Sequence, residues 1–351
     1  MGFDTFDAIV FVLYCGLVLG VGFGTSRLKN NRQRTTQDYF LASKSLPWWA
    51  VGASLIASNI SAQQFIGMTG SGYAIGLAIA SYEWMAAATL IVVGKFLLPI
   101  FIRKGIYTMP QFLEMRFDHR VKTGVAVFFL LDFTFIAATS ILYLGALAFQ
   151  AIANVPLGFA LAFVALFAAL VTLYGGQKAI AWTDVIQVVF MMVGGLLTTF
   201  LALRAVDGGN NAVRGLETLL KKAPEKFDMI LSPGHPFYQA LPGISVLVGG
   251  IWIANLTYWG FNQYIIQRAL AAKSIGEAQR GLMFAGYLKL LMPLIVVVPG
   301  IAAYVLSADI AKPDEAYPWL LRELLFPGIK GLIFAALIAG IVSSLSAVAN
   351  S

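Results

Sequence analysis

Seven consecutive residues, Ser58-Asn59-Ile60-Ser61-Ala62-Gln63-Gln64, place five hydroxyl or carboxamide side chains in an otherwise apolar run. Gly67, Gly70 and Gly72 follow. If that run crosses a bilayer, this density of polar groups and glycines favours a locally unwound helix. Unwound backbone at membrane depth is tolerated where it lines a cavity, and its freed carbonyls suit a small cation. The plainer alternative is that the hydroxyls bond back to their own helix and the amides join neighbouring helices. Far downstream, Gly340, Ser343 and Ser344 share one helical face. One carbonyl and two hydroxyls there would complete an oxygen cage begun at the break. Hard cations take oxygen ligands, and a cage without a carboxylate suits a monovalent ion better than a divalent one. Taken alone, small residues at this spacing equally describe close helix packing.

A second group of residues suits a hydroxylated solute. Glu83, within Tyr82-Glu83-Trp84, sits in an apolar stretch where a carboxylate costs about 3 kcal/mol, so it should face a polar cavity or a partner. It can accept hydrogen bonds from a polyol, or pair with a neighbouring helix. The run Asn255-Leu256-Thr257-Tyr258-Trp259-Gly260-Phe261-Asn262-Gln263 sets aromatic rings beside carboxamides. Rings stack on the apolar C–H face of a sugar, and amides bond its hydroxyls. An interfacial aromatic belt is the alternative, although a belt has no use for the amides. Lys289, inside another apolar stretch, either contacts substrate or neutralises a buried carboxylate. Asp132 and Asp184 leave structural and functional readings open, and Lys95 is expected to snorkel.

The elements that must carry these residues are helices. Of 351 residues, 59% are hydrophobic and 12% charged, about half the charge fraction of a soluble domain. A mean hydropathy of +0.80 over this length requires many spans. Nine apolar stretches of roughly 20 residues are expected to cross a bilayer. Their limits are 6–26, 48–72, 77–101, 123–152, 156–174, 179–205, 243–268, 279–306 and 329–351. Only a helical bundle satisfies the backbone of such long, evenly apolar segments. Asp4 and Asp7 in the leader argue against a cleaved signal peptide. With the N-terminus outside, fourteen of the 24 Lys and Arg, Arg268 among them, fall on the inside. Eight, Lys330 among them, fall in or beside the long outer loops, and two lie within spans. That asymmetry predicts a multi-pass protein of a cell (inner) membrane with its N-terminus outside. The net charge of +7 is thus a topology signal, and no nucleic-acid partner is expected. Cys15 is the single cysteine, which excludes a disulfide framework or a thiolate metal site. His119 and His235 are far apart, and no nucleophile–base set is apparent, so an enzyme is not expected. The last stretch reaches Ser351 without a basic flank, so the chain is expected to continue beyond it.

These residues resemble the sodium/solute symporter family along essentially the whole chain. The matching stretches are Ala57–Trp84, Trp182–Val188 (WTDVIQV), Trp259–Arg268 (WGFNQYIIQR) and Ile341–Leu345 (IVSSL), and WGFNQYIIQR is similar to the sugar-transporting branch. The resemblance implies an all-α polytopic fold of inverted five-plus-five helix repeats behind an extra N-terminal helix. Here 6–26 would be the extra helix, 48–205 the first repeat, and 243–351 the first three helices of the second. Sodium would bind the carbonyls of Ala57, Ile60 and Gly340 and the hydroxyls of Ser343 and Ser344, with Asp184 on its release route. A sugar such as galactose or glucose would contact Asn59, Gln64, Glu83, Asn255 and Lys289. Tyr258 would stack beneath it as one gate, with Trp259 and Tyr82 nearby, and Met68 would form part of the other. Ala86 stands where the sugar branch carries a serine, one polar contact fewer. The expected activity is sodium-coupled symport by alternating access. Alternatives are the same fold carrying inositol, a nucleoside or another polyol, or a membrane solute sensor.

Overall fold

A computed structural model describes residues 4–26, 42–60, 63–241, 243–306 and 309–351. Ser61, Ala62 and the basic residues from Arg27 to Arg34 lie outside them. The described chain is a helical bundle. Its helices are α1 (Thr5–Ser26), α2 (Trp48–Asn59), α3 (Met68–Ala74), α4 (Leu77–Arg103), α5 (Met109–Arg116) and α6 (His119–Gln150). There follow α7 (Leu157–Val206), α8 (Ala212–Lys222), α9 (Gly243–Phe261), α10 (Gln263–Leu270), α11 (Ile275–Leu306), α12 (Ala316–Leu324) and α13 (Ile329–Asn350). Among the described residues, seven helices are long and apolar enough to cross a membrane. The other two of the nine expected stretches are the interrupted pair α2–α3 and the shorter apolar segment Leu157–Leu173.

Straight, the 50 residues of α7 would extend about 75 Å, more than twice a bilayer core. They double back instead. The ring of Phe163 lies 5.9 Å from that of Phe11, and Phe190 lies 5.2 Å from Tyr14, one turn further along α1. In a straight helix Phe163 and Phe190 would stand about 40 Å apart. Two antiparallel arms therefore pack on α1, as the separate stretches 156–174 and 179–205 require.

The other breaks serve the site. The helix α2 stops at Asn59, and Ile60 turns extended (φ −75°, ψ 94°) before a wide π-helical turn, Gln63–Gly67, leads into α3. The second break mirrors this arrangement: a π-helical turn at Thr257–Phe261 ends α9, and extended Asn262 (ψ 124°) precedes α10. Side chains and backbone tie the halves together across the bundle. Leu46 N–H donates to the Ala271 carbonyl at 3.2 Å, Lys273 N–H to that of Leu46 at 3.0 Å, and Trp48 N–H to the Glu277 carboxylate at 2.6 Å. The start of α2 is thereby fixed to the end of α10.

Of the seven long apolar helices α13 is the most enclosed, with 83% of its apolar window buried, whereas α6 is the least, with 11%. Asp7 of α1, fully buried, accepts the backbone N–H groups of Gly328 at 2.7 Å and Gly331 at 2.8 Å. A carboxylate there satisfies orphan donors and complements the positive end of α13. Gly328 has φ +86°, and a Cβ at Gly331 would meet the Asp7 backbone at 2.5 Å, so the approach depends on both glycines. Two residues counted as loop charges from the sequence are buried: Arg268 at 0% exposure and Lys330 at 2%. Linear distance from a span does not reveal whether a charge has been folded into the bundle.

Candidate functional site

A cavity of about 420 Å³ opens beside both breaks. The residues expected to contact sugar, Asn59, Gln64, Tyr82, Glu83, Asn255, Tyr258, Trp259 and Lys289, all line it, as does Met68. The sequence reading missed Ser71, Ile79 and Ala254 on the same walls. Helical spacing was the available signal: Gln64, Met68 and Ser71 follow one face, as do Ile79, Glu83 and Ala86, and Ala254 and Tyr258.

Polar side chains in the cavity hold one another. Lys289 Nζ lies 2.7 Å from Glu83 Oε2 and also donates to Asn59 Oδ1. Gln64 Nε2 donates to the other Glu83 oxygen and to Met68 Sδ. Lys289 therefore neutralises Glu83 while both remain on the cavity wall, so the two readings of each residue meet in one pair. Opposite them, Trp259 Nε1 donates to Asn255 Oδ1 at 3.2 Å, and the Lys289 ammonium sits 5.4 Å from the Trp259 ring centre. Tyr258 Oη accepts from Asn59 Nδ2 at 3.2 Å and from Tyr264 Oη at 3.1 Å. One anion paired with one cation, three carboxamides and an indole face make a neutral site rich in donors and acceptors. Such a lining matches a neutral polyhydroxylated solute better than a charged one.

The second cluster lies where α2, α7 and α13 meet. Ser344 Oγ donates to the Ser58 carbonyl at 3.1 Å, and a Cβ built on Gly340 would come within 3.3 Å of the Ile60 carbonyl oxygen. The break in α2 is thus placed beside Gly340 and Ser344, with Ala57 fully buried in the adjoining helical turn. An alanine at 340 would press on the Met191 methyl at 2.9 Å, the far end of a flexible side chain. Ser343 and Ser54 both donate to the carboxylate of Asp184, which is fully buried. Arg268 Nε lies 3.8 Å from that carboxylate. The sequence predicts a cage without a carboxylate. The structure sets Asp184 one hydrogen bond behind Ser343 and opposes it with an arginine, which keeps the local charge balanced. Each serine hydroxyl that donates its proton still offers lone pairs. A donor set of carbonyl and hydroxyl oxygens fits a hard monovalent cation. Asp132, half-buried on α6, does not line the cavity, but its charge acts on Tyr264, the hydrogen-bond neighbour of Tyr258.

Residues 39–351 match the family described as the Sodium:solute symporter family. The chain belongs to that family. This family is one of transporters rather than enzymes, and the seven apolar helices among the described residues make this chain a multi-pass membrane protein. The chain is 54% identical to a sodium/glucose cotransporter of Vibrio parahaemolyticus, covering 100% of its own length and 67% of that protein. It is 32% identical to sodium/glucose cotransporter 4 of Mus musculus and 34% identical to a sodium/myo-inositol cotransporter of Canis lupus familiaris. It spans 55% and 53% of those two mammalian relatives. Among solved structures, it is similar to the substrate-bound outward-open state of a Na+-coupled sialic acid symporter. That match has a TM-score of 0.85 and 26% identity, over 98% of this chain and 72% of the other. As a member of that family, the chain has the all-α polytopic fold expected from its sequence, shared with the sialic acid symporter structure.

Proposed function

We propose that this chain forms the binding core of a sodium-coupled symporter for a neutral sugar. The observation that carries the reading is the juxtaposition of the two breaks. Both face a cavity of paired charges, amides and an indole, and the break in α2 also sets its Ser58 and Ile60 carbonyls against Ser344 and Gly340 of α13. The sodium/glucose relatives support the same assignment. In this reading the repeats run over 48–205 and 243–351 behind the 6–26 helix, and the N-terminus faces outward in an inner membrane. Sodium takes Ala57, Ile60, Gly340, Ser343 and Ser344, and leaves past Asp184. Sugar takes Asn59, Gln64, Glu83, Asn255 and Lys289 against Trp259, with Tyr258 and Met68 as gates and Tyr82 at the rim. Sodium binding shapes the sugar site in the outward-facing state, and reversal of access releases both.

The driving force bounds the outcome. One charge crossing about 100 mV gains roughly 2.3 kcal/mol, and a tenfold sodium gradient adds about 1.4 kcal/mol. At one sodium per sugar, accumulation reaches several hundred-fold at most. Uptake of labelled glucose and galactose into proteoliposomes of the full-length protein tests this. An inward sodium gradient should concentrate sugar above equilibrium, and an equal potassium gradient should not. Absence of sodium-driven accumulation of either sugar overturns the assignment. Relatives that are sodium/myo-inositol cotransporters favour inositol as the second cargo to compete against labelled glucose.

A further inference from the structure

Arg268 has no part in that cycle, yet it is fully buried and stands between the two sites. Its guanidinium joins three helices. Nε donates to the Ser54 carbonyl of α2 at 3.2 Å and lies 3.8 Å from Asp184 of α7, while Nη1 donates to the Tyr264 carbonyl of α10 at 2.5 Å. The guanidinium meets the backbone carbonyl of Tyr264, and the body of that residue carries the connection on to its ring hydroxyl and the cavity. That hydroxyl donates to Tyr258, Tyr258 accepts from Asn59, and Asn59 takes the ammonium of Lys289, the partner of Glu83. In the other direction, Asp184 accepts from Ser343 on the proposed cage. Arg268 is the member that joins the two halves of this chain.

The chemistry of the side chain suits that position. A guanidinium is a rigid planar fork, so with Nη1 braced on the arginine's own helix, Nε fixes α10 against Ser54 of α2 and Asp184 of α7 as a lysine ammonium cannot. A buried ion pair is a poor source of stability and a better source of positional specificity. Nη2 has no hydrogen-bond partner among the described residues. That spare donor gives the fork a second arrangement to occupy when its neighbours reorient.

We infer that Arg268 is a positioning residue that couples the cation cage to the sugar cavity. A cation that turns Ser343 and Asp184 shifts the guanidinium fork, and with it the Tyr264–Tyr258–Asn59 bonds that shape the cavity wall. This rests on the sodium and sugar sites proposed above.

Linkage supplies the test, because a coupling residue sets how far one ligand alters affinity for the other. Equilibrium binding of labelled glucose to the purified full-length protein would be measured across sodium concentrations. In the parent protein, saturating sodium should tighten glucose binding by about 5- to 150-fold, the usual span of coupling. Arg268→Lys keeps a cation beside Asp184 and removes the fork. Tyr264→Phe cuts the same chain nearer the cavity without leaving a charge unpaired, and it carries the test if the first variant does not fold. Both should still bind glucose at high concentration, with a sodium-induced shift reduced to a small fraction of the parent value. A merely structural role would weaken binding or lower the yield and leave that ratio intact. The full parental shift in the folded variants overturns the inference while the transport assignment stands. Sodium-independent glucose binding by the parent overturns both.

Discussion

Two buried ion pairs solve the same electrostatic problem differently. Glu83 and Lys289 meet at 2.7 Å on the wall of a cavity, where each also bonds a carboxamide. Asp184 and Arg268 stand 3.8 Å apart with no exposure, and the carboxylate spends its close contacts on two serine hydroxyls. In the first pair, direct contact cancels charge and leaves a neutral surface for a solute. In the second, the separation leaves a carboxylate free to orient the Ser343 hydroxyl of a proposed cation cage. Burial alone therefore does not define what an intramembrane charge does; its nearest neighbours do.

The contrast can be broken most severely at Asp184. Asp184→Ala strands Arg268 without a counter-charge in an enclosed site, where losing one partner costs about 3–5 kcal/mol. The melting temperature of the detergent-solubilised protein should fall sharply, and an unaltered value would mean that Asp184 does not compensate Arg268. Glu83→Gln should spare stability more, because Asn59 Oδ1 and the new carboxamide oxygen can still accept from Lys289. Its cost should appear as a sugar half-saturation raised about 10- to 100-fold, from a charge-assisted hydrogen bond of about 1.5–3 kcal/mol. Equal sugar affinity would restrict Glu83 to pairing. Ser344→Ala removes one neutral oxygen and should raise the sodium concentration for half-maximal uptake about five- to tenfold. Unchanged sodium activation would remove Ser344 from the cage. The smallest effect belongs to an exposed cluster. The Glu114 carboxyl is held below its usual range by hydrogen bonds from Lys122 and His119 on the surface. Any stability it adds is present above the ordinary carboxylate range and lost as pH falls through that lowered value. Glu114→Gln should leave the melting temperature at pH 7 unchanged within error, and a clear drop would show that this surface cluster matters as the buried pairs do.

What the sequence revealed was local. The polar run at Ser58–Gln64, the lone Glu83 and the Asn255–Gln263 segment each violate an apolar pattern, and those residues the structure describes do gather at breaks and cavity. The doubling back of α7 was legible as two apolar stretches with a charged link. Ser54 escaped notice, although it lies one turn before Ser58, because a single buried serine is ordinary in a helix. Arg268 was read as a loop charge because it follows the last apolar residues of its segment. Its true neighbours, Ser54 and Asp184, come from distant parts of the chain, and no periodicity within one helix encodes a meeting of three helices. Pairing of Glu83 with Lys289, separated by 206 positions, was foreseen only as one of two options for each residue.

The anchoring of Asp7 has a bearing on how the protein is made. Its backbone partners emerge 321 and 324 residues later. At about 5–20 residues per second, synthesis leaves this carboxylate waiting roughly 15–60 s for Gly328 and Gly331. During that interval α1 can pack on the arms of α7, but its acid must be solvated by headgroups, by water or by a helper protein. The helix α1 thus leaves the ribosome long before the backbone donors that its carboxylate meets, and a stall before Gly331 would leave that carboxylate without them.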